Sequence, residues 1–261
     1  FTRTLIERLP NLKLLMSGCG DSPTLDLAAA TEHGVTVCRL RGVNTATAEH
    51  AWALLLALAR QIPQEDRAMR EGRWQTTVGW GLERHTLGIV GLGNLGSQVA
   101  AVGRAFGMQV IAWSRNLTAD QAEERGATLV TKDELFQQAD FISVHVALTD
   151  ESRGLIGARE LAMMKRTAFI VNTSRGPILD QRALTTVLRE RRIAGAGIDV
   201  FDMEPIPRHH PFLSLDNIIV TPHLGFVTRE SHGLFYRDAV QSIAAFIAGS
   251  PVRVVESRRP Q

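Results

Sequence analysis

Cysteine is scarce in this chain: Cys19 and Cys38 are the only two among 261 residues. They stand in no metal-ligand spacing, which sets aside a thiolate zinc site, and two such residues make no disulfide framework. The expected state is a pair of reduced, partly buried thiols in a cytoplasmic protein. Long apolar runs are missing too. The longest, Ala51 to Ala59, falls far short of the roughly 20 residues that span a bilayer, and no leader segment is visible. Charge of one sign is also lacking. The net charge is +2 with acids and bases mixed, so there is no basic stripe of the kind a nucleic-acid partner demands. Repeats and low-complexity segments are absent. With 44% hydrophobic and 21% charged residues, the composition suits a globular chain of one or two domains. The chain opens on Phe1 directly into what reads as the middle of a domain, so further residues are expected in front of it.

Two patterns of apolar residues organise the chain. At the N-terminal end, 13–17 (KLLMS) and 35–39 (VTVCR) read as strands flanking a helix over 23–33 that stops at Gly34. Asn44-Thr45 then caps a helix over 47–60 that is apolar on nearly every side. All-round apolarity implies a helix buried between layers or between subunits, and with Trp74 beyond it this favours a homodimer. Pro63 interrupts the helical run, and 64–73 continues as a charged amphipathic helix. From Thr86 the rhythm changes. Strands are expected at 87–91, 109–113, 128–130, 141–145, 168–172, 196–200 and 218–221, with helices over 95–106, 119–125, 132–138, 158–164 and 180–191 between them. Short β-branched strands alternating with helices define an α/β class with a doubly wound parallel sheet. A last amphipathic helix, 228–248, is expected to return to the N-terminal fragment. The expected domains are 47–225, and a discontinuous one of 1–46 with 226–261.

The first turn of the α/β unit, "GIVGLGNLGSQVA", contains Gly91-x-Gly93-x-x-Gly96 after an apolar strand and at the start of a helix. That spacing alone is a weak signal; in this context it is the pattern of a dinucleotide site. The first glycine permits a tight turn, the second a close approach of backbone to pyrophosphate, and the third close packing of helix on strand. The helix N–H groups then face the phosphates. What is missing comes one strand later. Where such folds place an acid on the adenosine ribose 2′-OH, this chain has Ser114-Arg115-Asn116. Without that acid the repulsion of a 2′-phosphate is gone, and an arginine fork suits phosphate. NADP is therefore favoured over NAD.

Three further stretches put a polar residue just past an expected strand, at the edge where ligands of open α/β sheets bind. "FIVNTSRGPILD" carries Arg175, "GIDVFDMEP" carries Glu204, and "IIVTPHLG" carries His223. With "NTATAEHAWALLLALAR" and the glycine turn, these motifs stand in the order found in the D-isomer-specific 2-hydroxyacid dehydrogenases, and the chain resembles that family over essentially its whole length. The resemblance implies a Rossmann dinucleotide-binding domain plus a smaller flavodoxin-like substrate domain, here incomplete and short of its N-terminal segment. It implies NAD(P)-dependent oxidoreduction of a small 2-oxo or D-2-hydroxy acid. Arg175, Glu204 and His223 match the family's catalytic set. An arginine fork can hold a carboxylate and a keto oxygen together, and an imidazole, which titrates near neutral pH, can supply a proton. A glutamate beside that imidazole favours its charged form and fixes its orientation.

Further contacts carried over from the family are Asn94 and Leu95 in the glycine turn, His145, Thr173, and Asp199, which matches an aspartate facing the nicotinamide carboxamide. His145 lies in "SVHVALT", where many relatives carry proline in place of Ala147. The loop "MSGCGDSPTLD" resembles the family's substrate loop, which places Ser17, Gly18, Cys19 and Gly20 beside the substrate with Arg175. No metal site is expected; His209-His210 and His232 read as exposed loop and helix residues. The alternative function is a non-catalytic dinucleotide-sensing binding module of the same fold, which turnover of a 2-oxo acid would exclude.

Overall fold

Strands apolar on both faces, such as Leu87–Val90 and Phe141–Val144, are stable only where helices cover a sheet from both sides. The computed structural model, which describes residues 1–18, 25–43 and 45–255, uses them in that way. The chain divides into two compact units, Phe1–Val43 with Phe226–Gln261, and Asn44–Gly225. The first begins with α1 (Arg3–Glu7), β1 (Leu14–Ser17), α2 (Leu27–Glu32) and β2 (Thr36–Arg39). β1 and β2 pair in parallel, with Leu14 opposite Thr36. The helix expected from Pro23 begins only at Leu27, where the Asp26 carboxylate accepts the Ala29 N–H at 2.8 Å and so supplies the cap. Ile6, Leu15, Ala29, Ala30, Val35 and Val37 form a small core.

The second unit opens with α3 (Ala46–Ala59) and α4 (Ile62–Arg70), then runs β3 (Thr86–Val90), α5 (Asn94–Ala105), β4 (Gln109–Trp113), α6 (Ala119–Glu124), β5 (Thr128–Leu129), α7 (Lys132–Gln138) and β6 (Phe141–Val144). It continues through α8 (Ala158–Met163), β7 (Phe169–Asn172), α9 (Gln181–Arg189), β8 (Gly195–Ile198) and β9 (Ile218–Val220). Each expected strand lies within two residues of an observed one. Pro63 opens α4 instead of breaking a helix, since proline at the first turn removes no needed donor. The seven strands are parallel, in the order β5-β4-β3-β6-β7-β8-β9. The order reverses between β3 and β6, which makes that crevice the switch point of the sheet. Strand period sends alternate residues to opposite cores. Ile89, Phe141, Phe169 and Val171 meet α3 and α5 on one face; Val90, Ile142, Ile170 and Ile198 meet the residues of α7, α8 and α9 on the other.

The all-round apolarity of α3 has its explanation inside this unit. Ala51, Trp52, Leu54, Leu55, Leu58 and Ala59 are buried in the core shared with β3, β4, β6, β7 and α5. The helix is internal core, so its composition is no argument for a second subunit. Trp74 and Val78, by contrast, are 73% and 90% exposed. The chain returns to the first unit in α10 (Arg229–Ile247), capped by Thr228, whose hydroxyl accepts the Ser231 N–H at 3.1 Å. There Asp238 is buried against Arg41, whose fork and backbone N–H all donate to it at 2.7–3.0 Å. The Arg41 guanidinium holds that carboxyl far below the usual carboxylate range. Among the described residues no helix is long and apolar enough to cross a membrane.

Leu55, 1% exposed in the core under α3, gives a direct test of this packing. Leu55→Ala is expected to cost about 3 kcal/mol, the middle of the range for buried leucines. Urea unfolding at low and tenfold higher protein concentration should return the same loss, because the cavity opens within one chain.

Candidate functional site

The glycine turn joins β3 to α5, and its three glycines do three different jobs. Gly91 has φ +98°, and a Cβ there would lie 2.7 Å from Val146 Cγ1 and 2.8 Å from the His145 carbonyl carbon. A Cβ on Gly96 would lie 2.1 Å from the Gly91 oxygen, so the helix can approach the strand only without a side chain. Around Gly93 a Cβ would meet nothing within 4 Å; its openness serves a ligand, not the packing. Asn94, Leu95 and Gly96 occupy the first turn of α5, ahead of the first helical bond, Ser97 N–H to Gly93 O at 2.9 Å. Their N–H groups are the positive end of the helix. Ser114, at the end of β4, accepts the Leu92 N–H at 2.9 Å, and so pins the turn to the neighbouring strand. Next to it opens a cleft of about 480 Å³ lined by Leu92, Gly93, Ser114, Arg115, Asn116 and Arg125, and closed across by Thr149 and Glu151. Arg115 forms an ion pair with Glu151, and Arg125 donates to the Leu92 carbonyl.

The residues expected to do chemistry come off three successive strands, β7, β8 and β9. Beyond β7, Asn172 braces its loop, donating to the Arg175 carbonyl at 3.0 Å and accepting the Ser174 N–H at 3.0 Å. Arg175 itself is exposed, and its guanidinium donates to the Ser174 carbonyl at 2.7 Å. A Cβ on Gly176 would lie 2.1 Å from the Phe201 carbonyl carbon, so only glycine lets the loop after β7 rest on the loop after β8. In that second loop Glu204 Oε1 accepts the Phe201 N–H at 2.8 Å. Its other oxygen, Oε2, meets His223 Nδ1 at 2.7 Å. A carboxylate can only accept, so that contact puts a proton on Nδ1.

His223 sits at φ +56°, a left-handed conformation that costs a non-glycine residue about 1 kcal/mol or more. Its N–H donates to the Asp199 carbonyl at 2.8 Å. Asp199 is fully buried and takes donors on both oxygens. Thr221 donates at 2.6 Å, Leu224 N–H at 2.7 Å and Gly225 N–H at 2.9 Å, while His50 Nε2 lies at 3.2 Å. Burial pushes this carboxyl up, but the hydrogen bonds from His50, Thr221, Leu224 and Gly225 outweigh it, and it lies below the ordinary carboxylate range. Asp199 ties the loop after β9 to the end of β8 through these donors. His50 and Thr221 were not legible as site residues. His50 belongs to α3, and only the fold brings it beside Asp199.

Thr173 opens the loop that carries Arg175 and His145 follows β6, one strand over, and each carries a buried polar atom without a partner: Thr173 Oγ1 and His145 Nδ1. The other ring nitrogen of His145 is 2.7 Å from Ser143 Oγ. Burial pushes this imidazole down to about 4. Ser17 closes β1 of the first unit and Gly18 follows it; Cys19 and Gly20 lie outside the described residues. His210, expected as an exposed loop residue, is half-buried. It packs edge-on against Phe201 and Phe212 and accepts the Phe212 N–H at 3.3 Å. His209 and His232 are exposed. Among the described residues no group of three or more His, Cys, Asp or Glu could hold a metal.

A glycine-turn sheet with an Arg, a Glu–His pair and loops gathered at one edge defines a dinucleotide-dependent oxidoreductase. Comparison with known proteins makes this specific. Residues 52–225 match the model of the D-isomer specific 2-hydroxyacid dehydrogenase NAD-binding domain. A glyoxylate reductase of Aeropyrum pernix is 40% identical over 255 residues, 94% of this chain and 76% of that protein. A D-3-phosphoglycerate dehydrogenase of Synechocystis is 39% identical over 97% of this chain, which spans only 46% of that longer protein. Among solved structures, a phosphoglycerate oxidoreductase from Vibrio cholerae superposes with a TM-score of 0.90 at 34% identity, covering 96% of this chain and 81% of that one. The chain belongs to the D-isomer-specific 2-hydroxyacid dehydrogenase family. It is an NAD(P)-dependent oxidoreductase acting on the CH–OH group of its donor.

The lowered pKa of His145 has a consequence for stability. In the unfolded chain the imidazole titrates near 6.5; in the fold it stays neutral down to about 4. Between those values the unfolded state binds the extra proton, so stability falls as pH drops through that window. Linkage puts the loss at about 2 kcal/mol between pH 7 and pH 5. Urea unfolding at the two pH values should find that slope reduced by this amount in His145→Gln.

Proposed function

We propose that this chain interconverts a small 2-oxo acid and its D-2-hydroxy acid, with NADP(H) as the favoured dinucleotide. The observation that carries the reading is the Glu204–His223 contact of 2.7 Å, one strand away from the loop of Arg175 on the carboxyl edge of the sheet. Arg175 binds the carboxylate and the keto oxygen through its fork. His223, with Nδ1 committed to Glu204, gives its proton to the forming alkoxide from Nε2. Glu204 holds the ring in that orientation. Gly91, Gly93, Asn94, Leu95 and Gly96 take the pyrophosphate, and Ser114, Arg115 and Asn116 the adenosine side.

The residues present fit a dinucleotide. Gly93 leaves open space at the helix N-terminus, and the unpartnered Thr173 Oγ1 and His145 Nδ1 have hydrogen bonds left to make along the same edge. The nicotinamide supplies the hydride when bound; the chain positions the acid and moves the proton. Preference for a 2′-phosphate is supported by the lack of an acid at the end of β4 and by Arg115 and Arg125 on the cleft. As partner we propose a second copy of the chain, through the exposed surface around Trp74 and Val78. Light scattering on the purified chain should give twice the monomer mass.

The decisive assay follows reduced-nicotinamide absorbance with glyoxylate and with hydroxypyruvate, using NADPH and NADH in turn. Turnover is expected with both acids and faster with NADPH. His223→Ala should lower kcat by about 10²- to 10⁴-fold while NADPH still binds. Absence of turnover despite tight binding of the dinucleotide would move the weight to a non-catalytic binding module.

A further inference from the structure

The end of β4 lacks an acid, yet the cleft beside it is not without one. Glu151 reaches in from the loop after β6 and pairs with Arg115, which also donates to the Glu151 carbonyl at 3.3 Å. Arg115 and Glu151 side chains are 50% and 71% exposed, so both can rearrange when a ligand enters. The same cleft is lined by Ser114, Asn116 and Arg125. We infer that Glu151 is a specificity-determining residue. From a different loop it supplies the negative charge that β4 lacks, and its hold on Arg115 sets the preference between the 2′-phosphate and the 2′-hydroxyl dinucleotide. The inference rests on the proposed binding of the adenosine ribose in this cleft.

The chemistry of the two cofactors makes the charge matter differently. A 2′-phosphate carries more than one negative charge and competes with the carboxylate for the Arg115 fork. Binding it exchanges one charge-assisted pair for another and brings the displaced carboxylate near like charge. A 2′-hydroxyl asks for no such exchange, since the pair stays closed and the carboxylate can accept the hydroxyl hydrogen. Glu151 thus works against NADPH and not against NADH. The exposure of the pair bounds its effect to a few-fold, since solvent and salt screen it.

The test measures dissociation constants for NADPH and NADH with the full chain and with Glu151→Gln, Glu151→Ala, Glu151→Asp and Arg115→Ala. Both neutral variants at 151 should raise the NADPH-over-NADH preference by about three- to fivefold at low salt. The rise should shrink at high salt, and Glu151→Asp, which keeps the charge, should stay near the parent ratio. A ratio that stays put or falls in both neutral variants overturns the inference, as does an aspartate variant that behaves like the neutral ones. Arg115→Ala separates this from the underlying reading. Loss of NADPH affinity supports Arg115 as the phosphate ligand, whereas no change removes that role, whatever Glu151 does.

Discussion

In a sheet whose strands all run the same way, each connection must return to the starting edge, so the loops that follow the strands collect along one side. This constraint builds the site. The Arg175, Glu204 and His223 loops follow β7, β8 and β9, neighbours at roughly 5 Å per strand, while the glycine turn follows β3 across the switch point. The arrangement demands that the loops themselves be held, because loop residues lack ladder bonds of their own. Asn172, Phe201 N–H and Asp199 do the holding. Asp199 is the most committed of these. A fully buried carboxylate is costly unless its lone pairs are filled, and here hydroxyl, imidazole and two backbone N–H groups fill them. The same carboxylate group and its carbonyl fix the loop that carries His223 in its left-handed conformation.

Charge is placed sparingly at the glycine turn. The glycine turn offers backbone N–H groups and a helix terminus instead of cations. The two arginines on the cleft beside β4 are each engaged, Arg115 with Glu151 and Arg125 with the Leu92 carbonyl. In this cleft the two cations already have partners, so charge stands paired and not bare. His145 follows the opposite logic: burial keeps it neutral, so it can meet a ligand with a hydrogen bond and no charge.

Much of this was legible in the residues. Gly91, Gly93 and Gly96 could be read because glycine spacing between an apolar strand and a helix has few other uses. Arg175, Glu204 and His223 stood out as polar residues directly beyond apolar strands. Other parts were not legible, each for its own reason. His50 and Thr221 lie far from Asp199 in the chain; His50 meets it only once α3 packs across β8 and β9, and Thr221 only once β9 pairs with β8. Glu151 and Arg125 sit among ordinary surface charges, with nothing local to mark them. The apolarity of α3 fits an internal layer and a subunit interface equally well, because periodicity records burial and not what does the burying.

The residues alone fixed the class of the fold, the order of its strands and helices and the glycine turn, since these follow from local periodicity and turn chemistry, and they singled out Arg175, Glu204 and His223 through their place in motifs resembling the family's. Only the tertiary structure decided which side chains share a proton, which carboxylate meets Arg115 and what covers α3. Those outcomes depend on distances between segments remote in the chain, and they are set by how parallel strands stack side by side.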